Sequence, residues 1–77
     1  MTDLASRIQR ARAVSGLSQH RIGVACDVTG ATIMAWEHGR AEPRASDLDR
    51  LARALGVSAS WLLTGEGVGP VQAAAGQ

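Results

Sequence analysis

Apolar residues recur at helical spacing along most of the chain, and glycine, proline or a hydroxyl residue interrupts them at short intervals. Leu4, Ile8 and Ala11 line one face of a first helix over 3–14. Thr2 stands at its N-cap, Asp3 suits the positive end of its dipole, and Gly16 closes it. Arg7 and Arg10 are expected on its solvated side. Ser18 is a cap for a second helix, Gln19 to Cys26, with Ile22 and Cys26 four apart on its inner face. Thr29 caps a third, Gly30 to Glu37, whose inner positions are Ile33 and Trp36. Between these two, Asp27 tolerates the left-handed backbone of a tight corner, and Val28 can fill the angle.

Past Gly39 the stretch Arg40 to Arg44 is polar and contains Pro43, so it reads as a loop. A fourth helix follows over Ala45 to Leu55, striped by Leu48, Leu51, Ala52 and Leu55. Either Arg44 or Ser46 stands at its cap. Asp47/Arg50 and Asp49/Arg53 are expected as pairs on its outer face. Gly56 ends it, and Ser58 caps a short fifth helix that takes Trp61 and Leu62 into the core. Residues 66–77 are rich in glycine and alanine and show no apolar period. They read as a flexible tail or linker beyond a domain of residues 1–65.

Two short helices joined by a tight corner, the second free to lie in a major groove, form a helix-turn-helix. The residues around it deepen the match. Gly16-Leu17-Ser18-Gln19, Ile22, Val28, Thr29, Ile33, Trp36-Glu37, Gly39 and Pro43 stand in order. After them come Leu51-Ala52, Ala54-Leu55-Gly56-Val57-Ser58 and Trp61-Leu62-Leu63-Thr64-Gly65. In this set the chain resembles the Cro-type, lambda-repressor-like helix-turn-helix domains of phage repressors and bacterial regulators. The resemblance implies an all-α fold of five helices with the helix-turn-helix at helices two and three. It also implies transcription regulation, most often repression, by a homodimer on a palindromic operator in double-stranded DNA.

The resemblance assigns roles to particular positions. Arg12 would pair with Glu37 and lock helix one to helix three. Gln19 would bond a phosphate and brace the recognition helix. Gly30, Ala31, Thr32, Met34 and Ala35 would face bases, with His38 at the far end. Leu63 is a candidate dimer contact. The chain departs from the family at Gly23, where a small alanine is usual, and at Val24, where a polar residue is usual. Asp27 replaces a turn glycine, and Arg44 a capping serine.

From the residues themselves, Ser18 and Gln19 open a helix whose first amides suit a phosphate. Thr29 and Thr32 add hydroxyls, and Arg21, Arg40 and Arg44 can reach the flanking backbone. Base reading is less conventional, because helix three carries almost no side chain able to bond a base edge twice. Two readings stay open. Ala31, Thr32 and Met34 meet thymine methyls while DNA shape supplies the rest. Alternatively Val24, Ala31, Met34 and Ala35 form an apolar patch for a protein partner, making the chain an antirepressor or adaptor.

Composition narrows the remaining choices. Seventy-seven residues make one small domain. The net charge of +1 and pI near 8.0 fall short of the pI above about 9 typical of strongly basic nucleic-acid binders. Bulk charge therefore carries no argument for DNA. All eight basic residues are arginine, which suits phosphate contacts. No apolar run approaches the length of roughly 18 residues that suggests a membrane span, and no signal-peptide pattern opens the chain. A single cysteine cannot form an internal disulfide, so a cytoplasmic location is expected. Cys26, His20 and His38 match no metal-ligand spacing. No phosphate-cradling glycine loop or nucleophile–base pair appears, so neither enzyme activity nor a cofactor or small-molecule ligand is expected. Trp36 and Trp61 fall on inner faces, as core residues rather than platforms for bases.

Overall fold

The computed structural model describes residues 3–70. Five helices follow in order: α1 Leu4–Ser15, α2 Gln19–Cys26, α3 Gly30–Glu37, α4 Ala45–Leu55 and α5 Ala59–Thr64. Each sends its apolar stripe to one core. Ile8, Ile22, Cys26, Ile33, Leu51 and Leu62 are fully enclosed there, with Trp36 beside them.

The caps explain where the helices start. Ser18, Thr29 and Ser58 accept the amides of Arg21, Thr32 and Trp61 at 3.0–3.1 Å, offsetting the unpaired donors of each first turn. Asp3 does this for α1, taking the Ser6 amide at 2.9 Å. That bond, with a further one to the Ser6 side chain, lowers its carboxyl from the ordinary value. Thr2 lies outside the described residues. At α4 the cap is reciprocal to the usual kind. Arg44 stands at the N-cap, and its own amide donates to Asp47 Oδ2 at 2.9 Å; Ser46 does not take this place.

Asp47 is therefore buried rather than on the outer face. Its carboxylate turns inward to the Arg44 amide, with the guanidinium groups of Arg44 and Arg50 each at 3.9 Å. Asp49 and Arg53 do pair on the solvated side, at 3.2 Å.

Arg7 corrects a second expectation. It is buried, not solvated. Its Nε donates to the Leu62 carbonyl at 2.6 Å and its Nη2 to the Leu63 carbonyl at 2.7 Å. The final carbonyls of α5 lack helical partners and carry the negative end of the dipole, so a cation from α1 docks there. Trp61 is only half-buried, packed against the core edge rather than inside it.

The segment after α5 runs back over it. Ser58 donates its amide to Val68 at 2.8 Å, Ser60 Oγ donates to Glu66 at 3.1 Å, and Gly69 sits against the Trp61 indole. The tail expected from residue 66 thus begins with a packed stretch to residue 70. Residues 71–77 lie outside the described ones.

Cys26 is fully buried. Burial pushes its thiol pKa up, and the nearby Asp47 carboxylate adds to the shift. A buried, protonated thiol is a poor nucleophile. We expect Cys26 to react with a thiol reagent at mildly alkaline pH only as fast as the domain unfolds. Labelling with and without urea checks this, and prompt native labelling would contradict it.

Candidate nucleic-acid interface

The helix pair is built around a corner that only small residues permit. Asp27 adopts φ 61°, the only left-handed residue other than glycine among those described. The chain then doubles back so closely that the Val28 amide reaches the Gly23 carbonyl at 2.8 Å. A methyl group on Gly23 would stand 2.8 Å from the Val28 oxygen and 2.9 Å from the Thr29 carbonyl carbon. Both are backbone atoms that cannot rotate aside. The glycine in place of the usual alanine therefore fits a corner this close. Gly23→Ala gains about 1 kcal/mol of helix preference but meets an overpacking cost of about 1–3 kcal/mol. We expect a net loss of roughly 1 kcal/mol in urea unfolding; a gain would mean that the corner relaxes freely.

The far end of α3 is held by its last residue. Glu37 is buried, and side chains from two other helices converge on its carboxylate. Arg12 of α1 donates through Nε to Oε2 and through Nη2 to Oε1 at 3.3 Å. Gln19 of α2 donates through Nε2 to Oε1 at 3.0 Å. Gln9 adds a bond to the Glu37 carbonyl, and Arg12 also reaches the Leu17 carbonyl at 3.2 Å. Forked, charge-assisted bonds of this kind are directional, so they fix α3 in rotation as well as position. Gln19, at the first position of α2, thus ties the start of α2 to the end of α3.

At the near end, α3 begins against the start of α2. A Cβ on Gly30 would lie 3.3 Å from the His20 amide nitrogen. A side chain at position 30 would therefore meet α2, and Gly30 itself is half-buried. The outward face comprises Ala31 and Met34, both exposed, with Thr32 and Ala35 half-buried and His38 exposed beyond them. Ser18, Arg21, Thr29 and Arg40 are also exposed. Arg44 stands apart from α3, at the start of α4, with its side chain 90% accessible. Val24 is exposed on α2, in a shallow hollow with His20, Arg21 and Ala25. Among the described residues no group of His, Cys, Asp or Glu is placed to hold a metal ion.

Sequence reading missed Gln9 and Arg7. Neither shows a local signal, because their partners lie 28 and 55 residues downstream. The position of Arg7 next to Ile8, at the edge of the apolar stripe, is the one hint available.

The helix-turn-helix domain family matches residues 3–63 in a single alignment, from the α1 cap to the last turn of α5. The chain belongs to this family. Solved structures agree with the helix-turn-helix assignment. The P22 c2 repressor protein, in complex with a synthetic operator, is 29% identical, with a TM-score of 0.82 over 86% of this chain and 100% of that one. The solution structure of the P22 c2 repressor DNA-binding domain is 30% identical, with a TM-score of 0.80 over 83% of this chain and 84% of that one. A hypothetical transcription factor from Neisseria is 32% identical, with a TM-score of 0.72 over 78% of this chain and 69% of that one. No curated protein matches the chain significantly.

Proposed function

We propose that this helix-turn-helix protein regulates transcription, as a repressor, by laying α3 in the major groove of an operator. The observation that carries this reading is the match, over the full length of that chain, to a repressor bound to operator DNA. It is joined to an α3 whose outward face is left open by the fold.

In this mechanism phosphate contacts set the register and α3 reads the sequence. Ser18 and Gln19 offer the opening amides of α2 to one phosphate. Thr29 adds a hydroxyl, and Arg21, Arg40 and Arg44 add charge along the flanking strands. Ala31, Thr32, Met34 and Ala35 face the bases, with His38 at the rim. Two copies on a two-fold operator would place their α3 helices about 34 Å apart. The dimer contact uses α5 and the residues beyond it, where Leu63 and Val68 are 52% and 63% exposed. Residues 1–65 act as the DNA-binding unit, with residues 66–70 packed back onto α5. The protein works in the bacterial cytoplasm or nucleoid. Among the described residues no helix is long and apolar enough to cross a membrane.

The test is a titration against a random-sequence duplex pool at two salt concentrations, with sequencing of the retained DNA. Retention should fall about tenfold or more between roughly 50 and 200 mM salt, with a symmetric site enriched. No retention at either salt would reject the reading.

A further inference from the structure

We propose that α3 recognises the 5-methyl groups of pyrimidines in the major groove, so that its operator carries thymine wherever Ala31 and Met34 touch a base. The inference rests on the DNA-binding reading above and adds the chemistry that confers sequence preference.

The structure sharpens it beyond composition. Residues 31, 34, 35 and 38 share one face of a helix. The polar side chains on or beside this face, Thr32 and His38, bond back to the cap and to α3 itself. Thr32 Oγ1 lies 3.1 Å from Thr29 Oγ1, which also accepts the Thr32 amide. The Thr32 hydroxyl is thus engaged at the cap. His38 donates Nδ1–H to the Met34 carbonyl at 2.9 Å, which leaves Nε2 as its single remaining polar atom at the helix end. The only charged residue of α3, Glu37, is buried in the ion-pair network. No paired donor and acceptor is therefore available to match a guanine or adenine edge. What the helix presents is the methyls of Ala31 and Ala35, with half-buried Thr32 beside them, and the Met34 thioether, which is polarisable and adapts its shape. Small residues at 31 and 35 also let the backbone lie deep in the groove. The group on a base edge that matches such a surface is the C5-methyl of thymine.

Exchanging deoxythymidine for deoxyuridine in the enriched duplex deletes only those methyls. Each contacted methyl should be worth a few-fold in affinity, so full exchange should weaken binding about tenfold or more. At a contacted T·A pair, 5-methylcytosine·G should retain more affinity than cytosine·G, because it restores the methyl while changing the hydrogen-bond pattern. Equal affinity for thymidine and uridine duplexes, with salt-sensitive binding intact, would overturn the methyl reading alone. Absence of salt-sensitive binding to either duplex would overturn both readings.

Discussion

Replacing Arg12 by methionine is expected to destabilise the domain by about 3 kcal/mol. The Glu37 side chain is only 3% accessible, against 27% for Arg12. Removing the guanidinium therefore strands a buried carboxylate with Gln19 as its remaining side-chain donor. Breaking a buried pair from one side costs about 3–5 kcal/mol; the partial exposure of Arg12 lets water reach the site and sets the lower end. A domain this small has stability on the order of 5 kcal/mol, so the variant should unfold with little urea. The double variant Arg12→Met, Glu37→Met should recover much of the loss, since it leaves no buried charge unpaired. Tryptophan fluorescence follows the transition. A single-variant loss below about 1 kcal/mol would mean that the pair behaves as a surface salt bridge.

Met34→Glu should weaken DNA binding by about a hundredfold or more while leaving the fold unchanged. Met34 is 41% exposed and lies outside the core, so its replacement should move stability by no more than about 0.5 kcal/mol. In the groove, however, a carboxylate would stand between two rows of phosphates. Like-charge juxtaposition at an interface costs several kcal/mol. Fluorescence anisotropy on the enriched duplex, beside circular dichroism of the free variant, separates the two effects. Unchanged affinity would remove α3 from the interface and favour the protein-partner reading of its apolar face.

The five helices were legible because their signals are local. Ser18, Thr29 and Ser58 each cap an amide three residues on, and Gly16, Gly56 and Gly65 end helices in the left-handed conformation. The resemblance supplied the Arg12–Glu37 pair, whose partners lie 25 residues apart and which periodicity does not reveal. Arg7 and Asp47 were misplaced for a related reason. Helical spacing tells which face a residue occupies, but not whether an unpaired carbonyl or amide waits opposite it. For Arg7 that partner is the end of α5; for Asp47 it is the Arg44 amide. The outward face of α3 was legible as composition. That the Thr32 hydroxyl and His38 Nδ1 turn back onto the helix was not, because both bonds depend on side-chain rotamers. The motif places Gly30 at the start of α3, but that a side chain there would meet the His20 backbone depends on the closeness of the two helices, which spacing does not reveal.

The central claim is that α3 and the start of α2 form the surface that meets duplex DNA. Amide chemical-shift mapping, with the isotope-labelled protein titrated by the enriched duplex, tests it most directly. The account predicts the largest changes at Ser18 to Arg21, Thr29 to Ala35 and His38 to Arg40, with Glu37 following through its bonds to Arg12 and Gln19. Changes concentrated on the outer face of α4, around Asp49 and Arg53, with α3 unaffected, would contradict it.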